Sequence, residues 1–276
     1  MATTIITDLY LLRCLTNLHA GSGDTSYGIV DKQVQRDPVD QSPVVHASGM
    51  KGALREIFDY HKLTNREEIF GTDTKTMSAE PEKAKAGLFY FFEARMVFLP
   101  VRSDSKPFFL ATSPERLTAF LNAQDDFGTG KTESLETTFL SLSTENPVQG
   151  SPIIFNQKEG IQVDEFTAVS HSKSGLTIPA AFDLSLEQIA LFHDFDLKAI
   201  ANRLPVIARN FLENGISGNL WYEEIVPRET RFYTFVARPD GKDYFETGLN
   251  DNRINHRVQV GGNASVGCGL CTLKRF

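Results

Sequence analysis

Residues 17–55 read NLHAGSGDTSYGIVDKQVQRDPVDQSPVVHASGMKGALR, and the fold turns on this stretch. A glycine turn, His19-Ala20-Gly21-Ser22-Gly23, opens it; Asp31 follows between Val30 and Lys32; Ser48-Gly49-Met50-Lys51-Gly52 closes it. From Met50 onward the apolar residues Ala53, Leu54, Ile57 and Phe58, with His61, keep the 3.6-residue period of one buried helix face. Ser48 is placed to cap that helix. Lys51 and Arg55 share its opposite face near the positive end of the helix dipole, where N–H groups and two cations suit a phosphate oxygen. The same spacing also fits an ordinary solvated face.

Upstream, Ile5 to Thr16 is apolar and β-branched enough for a first strand buried on both faces. Asn17 to Val45 is then a long irregular connection, a kind that is usually functional. Downstream, the helix runs from about Ser48 to Lys62, and residues 64–86 are polar, with a weak helix at their start and flexibility after Gly71. Leu88 to Leu99 is a second strand, and Pro114 to Leu121 a short helix with Ser113 as its cap. Residues 122–179 weaken into Gly, Ser, Thr and Asn, and read as an inserted β-rich excursion. Leu184 to Asn214 reads as helical in two pieces about Pro205. Asn219 to Val226, Thr230 to Arg238 and Leu270 to Arg275 are the remaining strands, the last after a glycine loop, Gly261 to Gly269. The order fits an α+β sandwich, one domain over 1–276 with insertions at about 64–86 and 122–179.

Composition narrows the function. With 28 Lys and Arg against 35 Asp and Glu, the net charge of −7 argues against a protein that coats nucleic acid by bulk positive charge. A basic strip remains at Arg253, Arg257, Lys274 and Arg275, opposed in that tail only by Asp251. The greasiest stretch, Gly87 to Val101, is broken by Glu93 and Arg95, so no membrane span or membrane partner is expected. No export signal is read at the start, and three cysteines make no disulfide framework, which suits a cytoplasmic protein.

Several residues carry candidate chemistry. Asp31 could coordinate a hard cation or help deprotonate a ribose hydroxyl, though a lone loop aspartate is also a common turn residue. His19 could shuttle a proton or simply bond the loop backbone. Glu223 and Glu224 look like a carboxylate pair, but strand neighbours point to opposite faces; the alternative is pairing with Arg228 or Arg231. The glycine loop permits close approach of a phosphate–sugar chain, or is a tight connection. Cys268-Gly269-Leu270-Cys271 lacks the second pair that structural zinc needs, and His193-Asp194 lacks the other ligands of a metal phosphohydrolase.

Taken in order, these landmarks resemble the backbone RAMP subunit of type III-B (Cmr) CRISPR effector complexes. The resemblance rests on His19 to Gly23, Gly28-Ile29-Val30-Asp31, Gln35-Arg36-Asp37 and Ser48 to Arg55. It continues through Leu99-Pro100-Val101-Arg102-Ser103, Asn219-Leu220-Trp221-Tyr222-Glu223-Glu224 with Pro227, Gly261-Gly262-Asn263 and Gly267-Cys268-Gly269. Ala47 and Met50 depart from the commoner glycine and leucine. The related Csm backbone subunit shares the aspartate loop. The resemblance implies a ferredoxin- or RRM-like palm with finger insertions and a β-hairpin thumb, expected in 122–179. It implies copies stacked along a guide RNA with other Cmr-type subunits, each cutting the complementary target RNA with Mg or Mn to leave a 2′,3′-cyclic phosphate. Asp31 falls at the essential aspartate, and is the implied metal ligand. His19 and Glu223 are further catalytic candidates. Ser48, Lys51, Arg55, Arg36, Gly261, Gly262, Gly267 and Gly269 are the implied RNA contacts. The alternative is a scaffold of the same complex that binds RNA without cutting it.

Overall fold

A computed structural model of the chain describes residues 4–25, 28–73, 78–79, 82, 84–130, 133–214 and 216–276. The opening apolar run forms β1 (Ile5–Cys14). The connection after it is less irregular than its sequence suggests, because β2 (Gly21–Thr25), β3 (Lys32–Val34) and β4 (Val44–Val45) lie within it. Then come α1 (Ala47–Tyr60) and α2 (Arg66–Phe70). Next are β5 (Tyr90–Phe91), β6 (Ala94–Val101) and β7 (Phe109–Thr112). Two helices follow, α3 (Pro114–Asp126) and α4 (Glu133–Ser143). Short strands succeed them: β8 (Ile153–Phe155), β9 (Gln162–Val163), β10 (Phe166–Thr167), β11 (Val169–His171) and β12 (Ile189–Leu191). After α5 (Asp194–Ala201) the chain makes a long hairpin, β13 (Val206–Glu213) and β14 (Ile216–Glu224). It ends with β15 (Arg231–Pro239), α6 (Tyr244–Leu249), β16 (Arg257–Gln259) and β17 (Leu270–Arg275).

Most strands join one eleven-stranded sheet, ordered β11-β8-β12-β7-β6-β15-β1-β17-β16, with β4 on β6 and β5 on β15. β1 is central, antiparallel to β15 (Leu9 opposite Phe235) and to β17 (Leu12 opposite Leu273). Its period-two pattern feeds both faces: Tyr10, Leu12 and Cys14 join one core, Leu9 and Leu11 the other. The first core is closed by Met50, Leu54 and Phe58 of α1 and Phe245 of α6; the second by Phe120 of α3 and Phe139 of α4. Strands and helices therefore make the α+β fold expected. Ser113 caps α3 as read, its hydroxyl accepting the Arg116 N–H (3.4 Å), with Pro114 in the first turn.

Two expectations are overturned. Residues 122–179 do not form a loose thumb: Leu135, Phe139, Leu142, Ile153 and Phe155 are buried core, and β8 belongs to the large sheet. Leu184 to Asn214 is not two helices, because after α5 the chain turns extended at Pro205 and enters β13. The projecting hairpin is instead β13–β14, whose Phe211 (58% exposed), Ile216 (74%) and Leu220 (54%) are uncovered. The flexibility read after Gly71 falls partly on 74–77, 80–81 and 83, outside the described residues. Among the described residues, no helix is long and apolar enough to cross a membrane.

Candidate nucleic-acid interface

The second sheet, ordered β13-β14-β3-β2, carries the candidate site. β3 runs parallel to β14, Lys32 opposite Glu223. Just before β3, Asp31 clasps the hairpin twice: its N–H donates to the Tyr222 carbonyl (3.0 Å), and its carboxylate Oδ2 accepts the Tyr222 N–H (2.7 Å). Asp31 is nonetheless exposed, between the exposed Ile29 and Lys32. It is thus held in place at the foot of the hairpin while facing solvent.

His19 is buried and meets the same strand two residues on, its Nδ1 at 2.8 Å from the Glu224 carbonyl oxygen. Along a strand that separation is roughly 7 Å, so Asp31 and His19 attach to neighbouring points of β14. A carbonyl only accepts, so Nδ1 carries the proton and Nε2 is the basic nitrogen. Gly21 lies close over it: a Cβ there would come within 3.1 Å of Nε2. The glycine turn is shaped around this imidazole.

Glu223 is a hub. It is 1% exposed, and its Oε1 accepts from Trp221 Nε1 (2.7 Å) and Lys32 Nζ (3.2 Å). Its Oε2 accepts from Arg209 Nε (2.7 Å) and Asn263 Nδ2 (2.8 Å). Burial pushes the carboxyl up, but the bonds from Trp221, Arg209 and Lys32 outweigh it and hold the carboxyl at about 2. A group this low and this enclosed neither gives nor takes a proton near neutrality, so the structure makes Glu223 a positioning group in place of the acid or base considered above. Glu224, pointing to the other face, accepts from the Arg36 guanidinium and from the Val34 N–H (3.1 Å). The partners are Arg209 and Arg36, and not Arg228 or Arg231; Arg231 instead pairs with Glu229 (2.9 Å).

The expected RNA contacts divide. Arg36 also donates to the Ala201 (2.6 Å) and Gln41 (3.1 Å) carbonyls, so it fastens its own loop and is removed from the RNA contacts. Ser48 is not the cap of α1; His46 holds that position, without a side-chain bond, and Ser48 lies exposed in the first turn. The N–H groups of Ala47, Ser48 and Gly49 precede the first intrahelical bond, Met50 N–H to the His46 carbonyl (3.0 Å). Lys51 has no ion-pair partner among the described residues and keeps its phosphate reading. Arg55 does not, because its guanidinium donates to the Gly71 carbonyl (2.6 Å) and approaches Asp59 (4.0 Å).

The glycine loop packs on the His19 turn. Gly262 N–H donates to the His19 carbonyl (2.9 Å), and a Cβ on Gly261 would come within 2.4 Å of that same oxygen. A Cβ on Gly269 would meet the Val260 carbonyl at 2.1 Å. These two glycines are needed by the protein's own backbone; Gly267, in open space at φ +79°, keeps an approach for RNA. Between this loop and α1 lies a groove of about 750 Å³, bordered by Gly21, Gln35, Gly49, Ala53, Tyr60 and Gly261. The two cysteines of the C-x-x-C spacing part company: Cys271 faces Cys14 across the strands (3.9 Å), whereas Cys268 accepts from Arg209 (3.4 Å). His193 caps α5 and Asp194 accepts the Glu115 N–H, both structural duties. Among the described residues no three His, Cys, Asp or Glu side chains converge as a metal-holding group.

Sequence reading missed Arg209, Trp221, Asn263 and Tyr222 as parts of the site. Trp221 and Tyr222 stood in a quoted motif, but nothing local ties Arg209 to Glu223.

A model of the RAMP superfamily matches residues 11–272. The chain is 29% identical to the CRISPR system Cmr endoribonuclease Cmr4 of Pyrococcus furiosus, over 94% of this chain and 92% of that protein. A shorter match, 30% identical over 39% of this chain and 46% of the other, is to the Cms endoribonuclease Csm3 of Mycobacterium tuberculosis. Among solved structures, a chain of the type III-B Cmr-β complex bound to cognate target RNA aligns with a TM-score of 0.78 at 20% identity, covering 98% and 97% of the two chains. Oligomeric Cmr4 from Pyrococcus furiosus aligns at 0.63 and 21%, covering 99% of each. The fold is shared with these chains, and the large sheet with its helices is consistent with a palm-like fold.

Proposed function

The chain belongs to the RAMP superfamily, and on that premise we propose that it is a repeating backbone subunit of a CRISPR ribonucleoprotein that holds a guide RNA and cuts the complementary target RNA. The observation that carries the cutting is Asp31, exposed yet fixed at the foot of the hairpin by two bonds to Tyr222. Copies stack along the guide in the cytoplasm with other Cmr-type subunits. The β13–β14 hairpin serves as the thumb, its uncovered Phe211, Ile216 and Leu220 parting the paired strands.

A nucleotide splayed beside the hairpin can place its own 2′-oxygen in line with the next phosphorus, so positioning supplies much of the rate. The 2′-oxygen bonds to phosphorus and the 5′-oxygen leaves. The products are a 2′,3′-cyclic phosphate and a 5′-hydroxyl; one proton departs the 2′-hydroxyl and one reaches the 5′-oxygen. Asp31 stands where it can orient or accept the first. His19, with Nε2 basic, serves a proton relay through the loop. A divalent cation, Mg or Mn, would be held on the protein side by the exposed carboxylate of Asp31 and would supply charge neutralisation at the phosphate.

Asp31→Ala abolishes target cleavage while guide and target binding persist, since an anionic side chain supplies no phosphate affinity. Gel shift and cleavage on one preparation decide it. Undiminished cutting by the variant refutes the assignment; a wild-type assembly that retains both RNAs and never cuts makes the subunit a scaffold.

A further inference from the structure

We propose that an aromatic cleft beside the start of α1 receives one nucleobase of the guide strand. The cleft, about 250 Å³, is walled by Phe92, Phe127, Tyr233 and Phe235, with Ala47 on one side and the Glu93–Arg95 pair at its mouth. Phe127 stacks on Phe235 (centroids 4.1 Å apart, planes 9° apart), and Phe92 meets Phe127 edge-on at 4.7 Å. The rings are therefore already braced, and a flat occupant finds an ordered apolar wall. A volume below that of ordinary drug-sized ligand pockets admits one planar group and no folded segment.

The mouth decides what kind of planar group. Arg95 Nε donates to Glu93 Oε1 (2.7 Å), and its side chain is half exposed at 51%. The pair is close to neutral together, which disfavours a phosphate inside. It offers N–H donors and a carboxylate acceptor to the edge of an inserted ring, which matches the mixed donor and acceptor edge of a base and not an aliphatic anchor. Position supplies the strand. Ala47 lines the cleft and is also the first residue of α1, whose leading N–H groups and Lys51 hold the guide phosphate in the reading above. One nucleotide can then set its phosphate at the helix start and its base in the cleft. The inference rests on that RNA-binding reading and adds to it a base-holding site.

The test uses assembled ribonucleoprotein carrying 5-iodouridine at one guide position at a time. Irradiation is expected to crosslink one position per subunit footprint to a peptide containing Phe92, Phe127 or Phe235. The double variant Phe92→Leu with Arg95→Ala, which keeps an apolar filling and touches no residue of the cutting site, lowers that crosslink on the order of tenfold. The variant still melts cooperatively, lower by about 2–4 °C for the lost Phe92–Phe127 ring contact, and still cuts in an Asp31-dependent way. Crosslinks confined to the hairpin, α1 or the glycine loop, or a yield unchanged in the double variant, overturn the cleft while leaving the nuclease reading intact. An assembly with no guide RNA to crosslink at any position overturns both.

Discussion

Replacing Glu223 with glutamine keeps its shape and removes its charge. The carboxylate accepts four hydrogen bonds, two on each oxygen, from Trp221, Lys32, Arg209 and Asn263. The amide oxygen can satisfy one pair only; its NH2 then faces the two donors of the other pair, and Lys32 and Arg209 both lose their counter-charge. The size of the loss follows from the carboxyl's fall from 4.5 to about 2. At 1.36 kcal/mol per pH unit this is about 3 kcal/mol of stability held by the ionised form. Because the folded value is the lower one, that stability is full above pH 4.5 and disappears as pH falls through about 2. Glu223→Gln is therefore less stable by about 3 kcal/mol at pH 7, a drop of about 6–12 °C in Tm. At pH 3 less than half of the difference remains. Urea denaturation of both proteins at pH 7 and pH 3, followed by circular dichroism, measures this. A gap that does not shrink on acidification refutes the argument. A variant as stable as wild type at pH 7 that no longer cuts restores Glu223 to proton transfer.

Lys51→Ala should weaken guide retention for any guide sequence and reduce the log–log salt slope by about 0.7. Arg55→Ala should leave that slope unchanged and cost about 1.5 kcal/mol through the lost bond to Gly71; filter binding across a salt series with denaturation curves separates them. Gly261→Ala and Gly269→Ala should yield little folded protein, since each Cβ would run into a carbonyl oxygen, whereas Gly267→Ala costs only about 1–2 kcal/mol of backbone strain. Soluble yield and thermal melts check this ordering. Phe211→Ser with Ile216→Ser should hold stability to within about 0.5 kcal/mol, the sites being exposed, yet blur the spacing of cuts on a labelled target.

The elements legible in the sequence were those with a continuous apolar run or a local cap. β1 and β6 announce themselves as apolar, β-forming runs, and α3 by Ser113-Pro114. The hairpin did not. Val206 to Glu213 is largely exposed on both faces, so no period-two apolar pattern marks it, and its apolar residues passed for the tail of a helical segment. The opposite error befell 133–143, where Leu135, Phe139 and Leu142 keep helical spacing, but the surrounding Gly, Ser and Thr masked it. At the site, the residue types were readable and their partners were not. Asp31 could be singled out, but the Tyr222 N–H that fixes it lies 191 positions away. Arg36 and Arg55 looked like phosphate holders because a sequence shows a cation's charge and not the carbonyls it will meet.

The parallel pairing of β3 with β14 has a consequence for measurement of length. The exposed carboxylate and the projecting hairpin are parts of one small sheet, joined through Lys32 and Glu223. They form the jaws of a caliper whose opening is set by backbone hydrogen bonds. If the hairpin enters the duplex as proposed, Asp31 arrives at a fixed offset from it. In a stack of identical subunits the interval between cuts is then a property of how the copies repeat, and the nucleotide sequence between the jaws has no say in it.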